Sequence, residues 1–154
     1  MALVYKNVLI MGDPMTKEGA AGGAVTPGHL VKENSSNAIV VHSTPGGSAV
    51  PLFAKENSDI GDGIDTAYAS ADRLLYYHCR PGDEVNAILT TSQTIVAGDF
   101  LESAGDGTLR KHTPDTVDTT ASVTATIVDR AIVAVAREGK TTTSAVARIR
   151  VAVV

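Results

Sequence analysis

The sequence contains no tryptophan, few aromatic residues (4%) and one cysteine in 154 residues. A lone Cys79 cannot close an intrachain disulfide, which excludes the stapled class of small secreted domains. With so few rings, the core must be assembled from Val, Ala, Ile, Leu and Thr, and that composition favours strands over long helices. The apolar run near the start, Val8-Leu9-Ile10-Met11, is too short to span a bilayer, and no basic region precedes it as a signal peptide requires. The expectation is synthesis in a cytoplasm and no membrane partner. A basic excess is missing too: the formal net charge is −4, so no global field draws nucleic acid.

What the sequence does have is turns. Arg80 to Lys111, RPGDEVNAILTTSQTIVAGDFLESAGDGTLRK, reads as three short strands and their connections. In Arg80-Pro81-Gly82-Asp83, proline presets φ and glycine tolerates a positive φ, the requirement of a type II turn. Glu84 to Leu89 follows as a strand. Ile95-Val96 leads through Ala97-Gly98-Asp99 into a second, Phe100 to Glu102. Ala104-Gly105-Asp106-Gly107 is a hairpin loop that returns Thr108 to Lys111 antiparallel to it. A chain of this length suits one domain burying roughly 70% of its unfolded surface.

Elsewhere the strand candidates are Ala38 to His42, Ala49 to Ala54, Asp72 to His78, Val123 to Ile127, Ala131 to Arg137 and Ala145 to Val154. In the last, Ala147, Ile149, Val151 and Val153 share one face and Arg148, Arg150 and Ala152 the other. Lys55 to Ala71 reads as a loop with one short helical turn around Asp65 to Ala69, and His112 to Ser122 as mostly loop. Residues 1–23 divide from residues 24–154: an extended start followed by Gly19-Ala20-Ala21-Gly22-Gly23-Ala24, a composition read as a flexible connector. Such a segment suits an arm that adds a strand to another subunit, or else a local edge strand with a surface loop. Val25 to Lys32 (VTPGHLVK) matches Ile95 to Glu102 (IVAGDFLE) when Gly28 is set on Gly98, through duplication or coincidence of turn chemistry.

No motif in the sequence completes a catalytic, cofactor or metal signature. Gly19 to Gly23 lacks the Gly-Lys-Ser/Thr ending of a phosphate loop, and Gly61-Asp62-Gly63 lacks the third glycine of a dinucleotide fingerprint. Asp59, Asp62 and Asp65 are close enough for a cation loop, but the position of the terminal acidic ligand falls on Ser70, so solvated turn aspartates are expected. His78 and Cys79 are adjacent and point to opposite faces of a strand, so they do not form a base–nucleophile pair. His29, His42 and His112 have no zinc spacing, and no Gly-x-Ser-x-Gly elbow occurs. Arg137, Arg148 and Arg150 lack the interleaved aromatics that stack bases. No catalytic residue, cofactor site or metal site is assigned.

Read in order, several weak motifs align with one family. They are Ala54-Lys55-Glu56-Asn57; Ile60-Gly61-Asp62-Gly63-Ile64-Asp65-Thr66-Ala67-Tyr68; Tyr76-Tyr77; Pro81-Gly82-Asp83-Glu84-Val85; Val96 to Glu102; Gly105 to Leu109; Ala131 to Glu138; and Arg148 to Val151. Over about two-thirds of the chain this resembles the capsid decoration, or cement, proteins of tailed-bacteriophage heads. The resemblance implies a small all-β, barrel-like β-tulip domain with an extended N-terminal arm and no enzymatic activity. It implies a homotrimer on the outer surface of the major capsid protein lattice, made in the host bacterial cytoplasm and stabilising the head of the virion. N-terminal segments of that family contact the capsid or a neighbouring subunit, which makes Leu3, Val4, Tyr5, Val8, Leu9 and Ile10 the candidate contact residues. The alternative is a small β-barrel ligand-binding module. A biotinyl or lipoyl carrier would use a turn like Val96 to Leu101 but needs a lysine between paired apolar residues at a hairpin tip, and a glycan-binding module normally stacks sugars on rings that are scarce here.

Overall fold

Three glycines at a positive φ of +94° to +96°, Gly28, Gly82 and Gly98, mark the same turn built three times. In each, the residue after the glycine donates its N–H to the carbonyl three residues earlier: His29 to Thr26, Asp83 to Arg80 and Asp99 to Val96. In each, the glycine N–H and the next residue's carbonyl then bracket one residue of a neighbouring strand. Gly28 and His29 bracket Ala54, Gly82 and Asp83 bracket Val153, and Gly98 and Asp99 bracket Ala136. The Val25–Lys32 and Ile95–Glu102 likeness is thus a shared local device, and Arg80 to Asp83 is its third copy.

The computed structural model describes residues 5–114 and 130–154. Among these, thirteen strands are formed: β1 (Leu9–Met11), β2 (Met15–Ala20), β3 (Val31–Glu33), β4 (Ile39–Val41), β5 (Leu52–Ala54), β6 (Arg73–His78), β7 (Glu84–Leu89), β8 (Thr94–Ile95), β9 (Phe100–Ser103), β10 (Leu109–Lys111), β11 (Ile132–Ala136), β12 (Lys140–Thr141) and β13 (Ala147–Val153). The fold is all-β. Strand pairing runs β7-β10-β9-β11-β13 and returns to β7, closing a five-stranded barrel. Every seam is antiparallel except β7–β10, where Leu89 pairs with Leu109 in parallel.

The barrel interior follows from strand alternation. Val85, Ala87 and Leu89 of β7 and Ile149, Val151 and Val153 of β13 point inward, with Leu101, Leu109, Val133, Ala134 and Ala136. The alternation expected in β13 is present. Val133 and Ala134 are both buried because the β9–β11 register shifts between Ile132 and Ala134.

Against the barrel lies a second layer, the sheet β2-β6-β5 with the ribbon β3-β4. Tyr77 of β6 and Phe53 of β5 join the barrel core, while Leu74, Tyr76 and Ala54 join a second cluster with Ala21, Val25, Val31, Ile39 and Tyr68. Burial on both faces explains why β6 reads as an uninterrupted apolar run, Leu74 to Tyr77, and not as an alternation.

Several expectations are corrected. The Gly19–Ala24 stretch is not a flexible connector: Gly19 and Ala20 end strand β2, which pairs along its length with β6, and Ala21 is buried. The glycines that suggested flexibility serve close approach: a Cβ on Gly19 would lie 2.7 Å from Cγ1 of Ile39, and one on Gly22 2.6 Å from Cγ1 of Val40. The helical turn falls at Ser58–Ile60, as 3-10, and not at Asp65 to Ala69. There Tyr68 instead bridges to Val25 and buries its ring. The Val123–Ile127 strand and most of the His112–Ser122 loop lie outside the described residues. No helix among the described residues is long and apolar enough to cross a membrane.

Candidate functional site

The segment expected to contact a partner is held by buried polar groups. Backbone polarity along an edge must be satisfied, and here two carboxylates and a neighbouring strand supply partners. Val8 N–H donates to Oε2 of buried Glu56 at 3.0 Å, and Asn86 N–H donates to the Val8 carbonyl at 2.7 Å. Farther on, Asp13 N–H donates to Oδ1 of Asp83 (3.2 Å), whose Oδ2 accepts the Arg80 N–H (2.8 Å). The aspartate of the Arg80–Asp83 turn thus shapes the turn and anchors the N-terminal segment. Gly12 permits that contact, since a Cβ there would fall 2.0 Å from Oδ1 of Asp83. Tyr5 accepts through its carbonyl from Asn86 Nδ2, and its hydroxyl meets Nη1 of Arg150 at 3.2 Å.

Of the candidate contact residues, Leu3 and Val4 lie outside the described residues. Tyr5, Leu9 and Ile10 are half-buried on the domain surface. Val8 is fully buried in the barrel core, so its side chain is not offered to a partner in this fold.

Register shows what the sequence reading missed. Met11 pairs with Glu84, Glu84 with Ala152, Ala152 with Val135, and Val135 with Phe100. Directly paired residues project from the same face of a sheet, so these five form one row across the outer barrel wall. Met11 (62% exposed) and Phe100 (51%) end the row, and half-buried Val135 and Ala152 lie within it. The only charge in the row, Glu84, is paired with Nε of Arg137 at 3.0 Å. A row drawn from five separate strands has no signature in any one of them; the outward position of Ala152 opposite the inward valines of β13 was the one available hint.

Arg148 and Arg150, on the outer face of β13, are committed within the chain. Arg148 donates to the Pro27 and Ile64 carbonyls and pairs with Asp65. Arg150 reaches Tyr5 and the Arg137 carbonyl. Arg110 pairs with buried Glu102 at 2.7 Å, and Glu102 also meets Nδ1 of His112 at 2.6 Å. Among the described residues no three His, Cys, Asp or Glu side chains converge to hold a metal ion. Burial pushes the Cys79 thiol up to about 12, the opposite of an activated nucleophile. The ordinary histidine value is lowered by burial at His29 and at His42.

These features describe a closed small β-barrel whose outer wall carries an apolar row and whose N-terminal segment is strapped to it. No family model matches the sequence, and no curated protein matches it significantly. Among solved structures, the chain is similar in fold to the N-terminal base of the head fiber protein gp8.5 of bacteriophage phi29. The TM-score is 0.53 at 10% sequence identity, covering 91% of this chain and 93% of that one.

Proposed function

We propose that this chain is a structural virion protein that binds, as a homotrimer, the outer surface of the major capsid protein lattice of a tailed phage and stabilises the head. The observation that carries the reading is the fold likeness, over nearly the whole of both chains, to a base domain of a phage head fiber. The ordered set of sequence motifs similar to phage decoration proteins points the same way, and neither rests on the other. The segment before β2 would serve as the arm, with Leu3, Val4, Tyr5, Leu9 and Ile10 joined by Met11 and the Phe100 row as contact surface. Each apolar side chain covered on docking contributes on the order of 1–2 kcal/mol, and repetition over many lattice sites multiplies modest contacts into a strong clamp. The role requires no reaction and no cofactor.

Light scattering on the purified chain, 15.9 kDa by sequence, is expected to give the mass of three copies. Sedimentation with expanded phage heads that lack the protein is expected to show saturable binding. A monomer that leaves such heads bare overturns the reading.

A further inference from the structure

One of the three equivalent turns differs in its chemistry. In two of them the last residue is an aspartate whose carboxylate accepts the N–H of the first: Asp83 from Arg80 at 2.8 Å and Asp99 from Val96 at 2.9 Å. In the third the acceptor is an imidazole, with Thr26 N–H donating to Nδ1 of His29 at 3.2 Å. A carboxylate accepts throughout the neutral and mildly acidic range, whereas Nδ1 accepts only while it carries no proton.

The His29 turn leads into a junction of three chain segments closed by a ring of backbone hydrogen bonds. Leu30 N–H donates to the Gly107 carbonyl, Gly107 N–H to the His42 carbonyl, and His42 N–H to the Leu30 carbonyl, at 2.7, 3.1 and 2.9 Å. The second histidine of the junction is buried and hydrogen-bonded through both ring nitrogens. Nε2 of buried His42 lies 3.1 Å from the Ser48 carbonyl, which can only accept, and Nδ1 lies 2.8 Å from Oγ of Ser103, which can donate. These contacts tie residues 43–49 to the β9–β10 hairpin, together with Gly46 N–H on the Ser103 carbonyl.

We propose that this junction is a proton-operated latch, in which neutral His29 and His42 hold the Thr26–His29 turn and residues 43–49 against the barrel and protonation releases them. The charged groups facing His29 are Asp106 of the hairpin loop and Arg148 of β13; Lys32 of β3 faces His42, and Glu102 and Arg110 flank Gly46. Asp106 at His29 and the Ser48 carbonyl at His42 favour the imidazolium; Arg148 and Lys32 oppose it, as does burial, the largest influence on both rings. Because both values are lowered on folding, the latch is fully closed above the ordinary histidine value near 6.5 and weakens as pH falls below it.

Amide hydrogen exchange on the whole chain, corrected for the intrinsic pH dependence, tests the latch. Between pH 7.5 and 5, protection at Leu30, His42, Gly46 and Gly107 is expected to fall about tenfold or more relative to β7 and β13. In the double variant His29→Asp, His42→Gln, which installs the acceptor of the sister turns and a non-titrating donor, this selective loss is expected to vanish. A uniform change across the chain, or the same selective loss in the folded double variant, overturns the proposal. If that variant fails to fold, nitrogen-15 spectra of the native histidines decide. Both rings are expected as neutral Nε2–H tautomers at pH 7.5, and an Nδ1–H tautomer or a charged ring at either position overturns it.

Discussion

The barrel and the layer beside it bury similar residue types under different constraints. In the barrel, β7 and β13 pair over six consecutive positions and the sheet closes on itself, so the interior is sealed by Val85, Leu101, Ile149 and their neighbours. The neighbouring layer is open: β2 has β6 on one side only, β3 and β4 pair over three residues, and the cluster beneath them is smaller and includes Tyr68 and Tyr76. A closed sheet leaves no unpaired edge, whereas an open one relies on turns, buried carboxylates and histidines to fix its borders. The lesson is that polar anchoring concentrates where backbone pairing stops: Glu56, Asp83 and His42 all sit at such borders.

The largest expected effect comes from the two cores. Leu101→Ala in the barrel should cost about 2–5 kcal/mol in urea unfolding and lower exchange protection everywhere. Leu74→Ala removes the same atoms from an equally buried site in the open layer. Its cost should fall near the lower end of that range and loosen β2 and β6 before the barrel. Equal loss of barrel protection in the two variants would make the molecule one cooperative unit and break the comparison.

The sister turns provide a finer contrast. Gly28 and Gly98 share the same φ, but a Cβ on Gly28 would meet the Asn86 carbonyl and the Arg148 guanidinium at 2.8 Å, while one on Gly98 meets nothing within 4 Å. Gly98→Ala should cost about 1 kcal/mol, from backbone strain alone. Gly28→Ala should cost about 3 kcal/mol, as crowding adds to the strain. Similar melting temperatures for the two would mean that the Gly28 turn, at the join of barrel and layer, yields freely.

Asp83→Ala leaves the Arg80 and Asp13 N–H groups without their acceptor. It should cost about 2 kcal/mol, with faster exchange at Asp13 as the specific readout. At the bottom of the scale, Arg73→Ala breaks the ion pair with Glu18 on the exposed β2–β6 surface. It should change stability by no more than about 0.5 kcal/mol, and less at high salt.

Strands with local signatures were legible. Glu84 to Leu89 has its expected limits, β9 and β10 form the hairpin that Asp106-Gly107 specifies, and β13 shows its alternation. β2 was not legible, because Gly19 reads as flexibility until Ile39 is seen packed against it. The two-residue β8 and β12 are too short to carry a pattern. For the candidate contact surface, the apolar start of the chain was visible, but the inward turn of Val8 and the Met11–Phe100 row depend on pairing between distant strands.

The sequence by itself determined an all-β chain, the positions of its glycine turns and the strands those turns release, because φ preference and period-two patterning act over a few residues. Tertiary structure alone decided that the barrel closes, that the N-terminal segment is strapped down by Glu56 and Asp83, and that His29 and His42 meet at one junction. Those outcomes depend on hydrogen bonds and burial between residues tens of positions apart, and no local pattern encodes them.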